Sequence, residues 1–353
     1  MSFSVGIVGL PNVGKSTLFK ALTKKEVDIA SYPFTTISPN VGVVAVPDEY
    51  LARIAEIIKP DKITPTIIEF VDIAGLVKGA HKGEGLGNQF LANIRSCDAI
   101  LEVVRDFEAG DIEHVEGEIN PQKDIKIIET ELLMKDLETI ERSIEKLEKE
   151  AKSGDSKIIN KIELFKKIKE TTAKGEPISV LPLSKEEKDE IKEFQFLTSK
   201  PIFYVLNTNG GINDKTKNTL KEIISPSLLL GMNLKIENEL SELSALDVKE
   251  LGIESQLDRL ISTCYNIIDL ITFYTVAGGK EARAWTLKIG ENILAAANLV
   301  HSDFAENFIR GEVVLAKDLT ESGSWHKARE AGKIKIAGRD YTVQQGDVIE
   351  FKI

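Results

Sequence analysis

The chain is poor in the residues that build stapled or metal-centred folds. It has only two cysteines, Cys97 and Cys264, far apart and at no metal-ligand spacing. That excludes a disulfide framework and a cysteine zinc site, and both read as reduced thiols. Only four histidines occur, at 81, 114, 301 and 326, so histidine chemistry has few candidates. No apolar run approaches the roughly twenty residues of a membrane span. The opening MSFSVGIVGL lacks a basic leader region and reads as a first β-strand, so a cytoplasmic location is expected. An excess of positive charge is missing too. Lys and Arg number 45 against 56 Asp and Glu, a net charge of −11. Neither a membrane nor DNA is an expected partner on that balance. The balance is uneven: residues 276–353 hold 11 Lys/Arg and 11 Asp/Glu, so the whole acidic excess lies in 1–275.

What is present is ordinary globular material, 353 residues that are 42% hydrophobic, enough for two or three domains. The first half alternates short apolar runs with helical patterns, the signature of an α/β fold with a parallel sheet. Strands are expected at Phe3–Val8, Val41–Val46, Ile67–Val71, Ile100–Arg105 and Pro201–Leu206. Roughly ninety residues separate the last two, more than one crossover helix needs. Leu133, Leu137, Ile140, Ile144 and Leu147 recur there at helical spacing, SGDS breaks the pattern, and Ile158, Ile162, Phe165 and Ile168 resume it. Ser184 and Glu187 have capping-box spacing. The insertion reads as an antiparallel helical hairpin. From about Ile271, alternating runs and glycine turns indicate a small β-domain. The expected division is 1–124 with 199–274, an inserted 125–198, and 275–353.

Gly9-Leu10-Pro11-Asn12-Val13-Gly14-Lys15-Ser16 fits GxxxxGK[ST] without a mismatch, between a strand and a helix. The glycines let backbone N–H groups face phosphates, and the helix N-terminus favours an anion. Lys15 is placed to reach the β- and γ-phosphates, and the Ser16 hydroxyl to bind Mg²⁺. Asp72-Ile73-Ala74-Gly75 follows an apolar strand. Its Asp72 can hold Mg²⁺ and its Gly75 N–H can meet the γ-phosphate. Between the first helix and second strand, Thr35 and Thr36 compete to supply a further hydroxyl to the metal.

The loop Asn207-Thr208-Asn209-Gly210 stands where GTP-specific proteins carry NKxD. Gly210 occupies the Asp position, so the acceptor for guanine N1–H and its amino group is missing there and guanine preference should be absent, with the nearby Asn213 and Asp214 the alternative acceptors. Leu76 occupies the position after DxxG, where a glutamine often orients the attacking water. His81 and His114 are the alternatives for that task.

GLPNVGKST, YPFTTISPN, DIAGLVKGAHKGEGLGNQFL, VVRDFEAGDIEHVEG and the closing YTVAGGKEARAWTLKIG…GDVIEFKI together resemble the YchF family of Obg-like ATPases, over essentially the whole chain. The resemblance implies a P-loop G domain, an inserted coiled coil and a C-terminal β-grasp (TGS) domain. It implies ATP as substrate, Mg²⁺, slow intrinsic hydrolysis, and association with the ribosome, as the 70S particle or its large subunit. It assigns Asn12, Val13, Gly14, Lys15, Ser16 and Thr17 to ATP contact, Ser16 and Thr36 to the metal, and Asn207 and Thr208 to adenine. It favours His114 over His81 near the γ-phosphate. The sequence departs from the family at Gly210, usually Glu, and at Asn233-Leu234-Lys235, usually SAK-like. An Obg-type GTPase in ribosome assembly and a nucleotide-bound non-catalytic adaptor are the competing functions. The expected ribosome contact is the basic stretch 326–339, where Lys333 and Lys335 should share one face of a strand opposite Ile334 and Ile336.

Overall fold

The computed structural model of the chain describes residues 3–25, 38, 40–73, 86–108, 118–151 and 155–353. In chain order the strands are β1 (Phe3–Val8), β2 (Val41–Ala45), β3 (Lys62–Thr64), β4 (Ile67–Asp72), β5 (Ala99–Asp106), β6 (Ile202–Thr208), β7 (Leu229–Met232), β8 (Leu270–Ala277), β9 (Glu281–Lys288), β10 (Arg310–Leu315), β11 (Lys335–Ala337) and β12 (Asp347–Lys352). They form two six-stranded sheets.

The first sheet has the order β2-β4-β1-β5-β6-β7, parallel throughout except for β2 against β4. Its strands are near-continuous apolar runs because helices cover both faces. Val5, Ile7, Ile68, Phe70 and Leu101 have 0% exposure and lie in one core with Leu18 and Leu22 of the helix Lys15–Thr23 and Ile94 of the helix Leu86–Ser96. β7 and the helices after it were not among the expected elements.

The insertion begins with the 30-residue helix Pro121–Glu150. Asn120 caps it by accepting from Lys123 N, and proline stands in its first turn. Two different cores claim this helix. Ile125, Ile128 and Leu132 pack with the first sheet, whereas Ile140 and Leu147 pack with Ile162, Phe165 and Ile168 of the helix Ser156–Ala173. Asp155 caps that second helix, and the Ser184–Glu187 capping box opens the helix Lys185–Ile191. Phe194 meets Phe165 edge-on at 4.8 Å and closes the hairpin core. At its root, buried Asp136 accepts from Leu197 N, Thr198 N and Thr198 Oγ1 at 2.9, 2.8 and 2.8 Å.

The second sheet has the order β11-β10-β12-β8-β9-β3. Its antiparallel pairs are β8–β9, β10–β11 and β10–β12, and the joins β12–β8 and β9–β3 are parallel. Phe273 and Trp285 stack at 6.4 Å in a core with Ile293, Ala296 and Ala297 of the helix Ile293–Val300. A second cluster joins Tyr274, Ala282, Ala284 and Val314 to Leu51 and Ile54 of the helix Glu49–Ile58. That helix and β3 both come from the excursion between β2 and β4. The second sheet therefore takes an edge strand and a covering helix from the first seventy residues, a crossing that the sequence division at 274/275 does not draw.

Candidate nucleotide site

The loop after β1 is bent by residues of positive φ: Gly9 at 152°, Asn12 at 63° and Gly14 at 110°. Two of them also have no room for a side chain. A Cβ on Gly9 would lie 2.4 Å from the Val103 carbonyl oxygen, and one on Gly14 would lie 2.6 Å from Asn207 Nδ2. Gly14 sits at the start of the helix Lys15–Thr23, whose first turn carries no acidic residue. The positive end of its dipole is left for an anion.

Lys15 is buried, and its Nζ donates to Gly9 O at 3.0 Å and Leu10 O at 2.8 Å. Burial pushes its pKa down, while the Asp72 carboxylate works the other way. Asp72 ends β4, and its backbone N donates to Asn40 O at 2.8 Å. Burial pushes its carboxyl pKa up, and Lys15 opposes that shift. Each charge thus opposes the cost of burying the other, and shifted titratable groups of this kind cluster at functional sites.

Opposite the loop, Asn207 does structural work. Its Nδ2 donates to Val13 O at 3.0 Å, and its Oδ1 accepts from Leu234 N at 3.2 Å. It is a strut between the phosphate loop and the loop at 233–235. Thr208 turns inward too: its Oγ1 donates to Gly211 O at 2.8 Å and accepts from Gly210 N at 3.2 Å. The polar side chains of both residues therefore shape the base loop. Val13 is a core residue, 1% exposed, and serves the site through its carbonyl. Asn233 caps the helix Leu234–Leu240 by accepting from Lys235 N and Ile236 N.

Between these parts lies a cleft of about 450 Å³. Asn12, Gly14, Lys15, Ser16 and Thr17 line one side, and Phe107, Asn209, Asn233 and Lys235 the other. Phe107 went unnoticed in the sequence. It follows β5 directly, and the Arg105 guanidinium lies 4.7 Å from its ring centroid. An aromatic just past a parallel strand end was the available signal. Gly210 is exposed, and an added Cβ there would meet nothing within 4 Å. The Ser16 hydroxyl and the Asp72 carboxylate are hard oxygen donors of the kind Mg²⁺ takes. Among the described residues no cluster of three or more His, Cys, Asp or Glu could hold a metal by itself. Thr35, Thr36, Gly75, Leu76, His81 and His114 lie outside the described residues.

The basic stretch 326–339 is largely spent on internal partners. Arg329 pairs with Glu312, Lys333 with Asp318 at 3.1 Å, and His326 lies 3.4 Å from Glu330. Arg339 donates to Phe308 O at 3.2 Å. The expected strand is also shorter than the alternation implies: β11 covers only Lys335–Ala337, so Lys333 and Ile334 precede it, and Ile336 is 74% exposed while Ile334 is partly buried.

A strand-to-helix loop bent this way, with its lysine buried and an aspartate at the end of the neighbouring parallel strand, has an established use in proteins: it holds nucleotide phosphates. That places the chain in the class of P-loop nucleoside triphosphatases. Residues 4–149 match the family of 50S ribosome-binding GTPases, and residues 270–353 match the YchF-GTPase C-terminal family, itself described as a protein of unknown function. Over its full length the chain is 47% identical to the ribosome-binding ATPase YchF of Haemophilus influenzae, and 44% identical to that of Bacillus subtilis, covering 99% of each. The solved Schizosaccharomyces pombe YchF GTPase is 35% identical and superposes with a TM-score of 0.87, over 99% of this chain and 98% of that one. The chain belongs to the YchF family.

Proposed function

We propose that the protein is a ribosome-binding ATPase that hydrolyses ATP to ADP and phosphate and uses its nucleotide state as a switch. The observation that carries the choice of base is Gly210. Guanine-reading loops place a carboxylate there, and here the position is open and solvent-exposed. The relatives' names, ribosome-binding ATPase, agree with that reading. Those names do not favour the Obg-type GTPase or the non-catalytic adaptor.

In the proposed reaction Lys15 leaves the Gly9 and Leu10 carbonyls for the β- and γ-phosphates, and the N–H groups of residues 12–17 enclose them. Ser16, Thr36 and Asp72 would hold Mg²⁺, which supplies charge neutralisation at the phosphates when bound. Gly75 would offer its N–H to the γ-phosphate and His114 would orient the attacking water. The working division is a G domain of 1–124 and 199–274, a helical arm of 125–198 and a TGS domain of 275–353. The protein acts in the cytoplasm, on the 70S ribosome or its large subunit.

Competition binding of labelled ATP against GTP tests the reading, with ATP the expected winner. Lys15→Ala should weaken ATP binding by about 10- to 100-fold through loss of a charge-assisted contact to two phosphates. A parent protein that preferred GTP, or a Lys15→Ala variant that bound ATP as the parent does, would overturn it.

A further inference from the structure

The excursion between β2 and β4 leaves the nucleotide-bearing sheet and is built into the other one. Its neck is closed by Val46 N donating to Thr66 O at 2.9 Å. On the near side of that neck, β2 and β4 are zipped together from Ala45↔Ile67 to Val41↔Val71, and Asp72 N continues the ladder onto Asn40 O. The ladder thus ends at Asp72, whose charge acts on Lys15. On the far side, Lys62 N donates to Lys280 O at 3.1 Å, Ile63 pairs with Ala282, and Thr64 Oγ1 donates to Glu281 Oε1 at 2.6 Å.

The grip on the far side is more than strand pairing. Leu51 and Ile54, 3% and 0% exposed, pack in one cluster with Tyr274, Ala282 and Val348. The Tyr274 hydroxyl donates to both Asp48 carboxylate oxygens at 3.0 and 2.9 Å, and Asp48 Oδ1 also accepts from Leu51 N at 2.9 Å. One carboxylate therefore caps the helix Glu49–Ile58 and fastens it to β8. Packed elements with discrete hydrogen bonds do not deform continuously, so a displacement at one end must be taken up at the other.

We infer that this excursion mechanically links the nucleotide site to the C-terminal sheet, so that each sets the state of the other. The inference rests on the nucleotide-site reading above. It makes Asp48 and Tyr274 positioning residues: neither lines the cleft, and both act through β2, β4 and Asp72. Any partner that binds the C-terminal sheet would bias nucleotide affinity, and by linkage the nucleotide would bias that sheet by the same factor.

The test is amide hydrogen exchange on the full chain, free, with Mg-ADP, and with Mg²⁺ and a non-hydrolysable ATP analogue. Nucleotide occupancy is measured in the same samples. The expected result is a change of about fivefold or more in exchange at Lys62–Thr64 and Glu281–Arg283 between the two nucleotides, the lower end of ordinary coupling. Asp48→Ala should shift the ratio of ADP to analogue affinity by a similar factor. Asp48→Asn, whose amide oxygen still accepts from Tyr274 and Leu51 N, should restore most of it. Bound nucleotide with unchanged exchange at those residues, and an unchanged affinity ratio in Asp48→Ala, would overturn the link alone. Failure of either nucleotide to bind would overturn the site reading and the link with it.

Discussion

In the first sheet the polar residues that matter stand where parallel strands end. Asp72 closes β4, Asn207 and Thr208 close β6, and the phosphate loop follows β1. In the second sheet the buried hydroxyls lie within or against the strands and are consumed by one another. The Tyr265 hydroxyl bonds Thr272 Oγ1 at 2.9 Å and Thr286 Oγ1 at 3.1 Å, and Trp285 Nε1 donates to Thr275 Oγ1 at 2.9 Å. A parallel sheet gathers its carboxyl ends at one edge and leaves a crevice there. A mixed sheet does not gather its strand ends at one edge, and the polar groups named above serve cohesion. In the first sheet, then, the polar side chains hold the loops around a cleft, and in the second they hold strands to one another.

The sharpest way to break this contrast is to place the same substitution in both halves. Gly14→Ala should abolish measurable ATP binding and cost about 2 kcal/mol of stability, since the methyl group meets Asn207 Nδ2 and the φ of 110° is costly for alanine. Gly338→Ala, where a Cβ meets nothing within 4 Å, should stay within about 0.5 kcal/mol of the parent and bind ATP normally. ATP titration and thermal melts of the pair measure both effects. A comparable loss in the two variants would erase the distinction.

Next in size, Ile54→Ala should cost about 2–5 kcal/mol in denaturant unfolding, as expected for emptying a fully buried site. It asks whether the borrowed helix belongs energetically to the second sheet. If that helix were only draped over the sheet, the cost would fall well below this range.

The smallest effect concerns Glu102, in the middle of β5 and 1% exposed, whose Oε1 has no hydrogen-bond partner among the described residues. Burial, then the charges of Glu129 and Asp124, push its pKa well above 4.5. The folded chain therefore keeps a proton that the unfolded chain releases. This contribution to stability is full below the unfolded pKa and is lost as pH rises toward the folded one. Glu102→Gln should make the melting temperature fall less steeply as pH rises above the unfolded carboxyl's range. An unchanged slope would show that the carboxyl is not protonated in the fold.

The legible parts of the sequence were those whose signal is local. β1, β4, β5 and β6 are apolar on both faces and announce themselves, and the phosphate loop is a contiguous motif. β3 could not be read: Lys62-Ile63-Thr64 is three residues long, Ile63 is 52% exposed, and the segment is a strand only because β9 pairs with it from more than two hundred residues away. Ile336 misled for a related reason, since alternation signals burial only where a neighbour covers the face. Asn207 was found as a site residue, but residue type does not name a partner, and its hydrogen bonds to Val13 and Leu234 exist only after folding. The choice between Thr35 and Thr36, and between His81 and His114, rests on residues outside those described.

Asp136 also determines what the helical arm can transmit. It ties the outgoing helix to the returning chain at Leu197 and Thr198, while Arg95 reaches across to Thr139 Oγ1 at 2.8 Å and Phe194 O at 3.0 Å. The helix Pro121–Glu150 is about 45 Å long at ~1.5 Å per residue, and about 20 Å of it projects past that tie. Such a rod is a lever with a short root and a long throw. By the same rise per residue, a tilt of about 10° where it packs on β5 near Ile128 would carry the outer end through about 6 Å. A sub-ångström adjustment beside the phosphates would then reach a distant surface as a displacement the width of a water molecule or more, without any joint along the shaft.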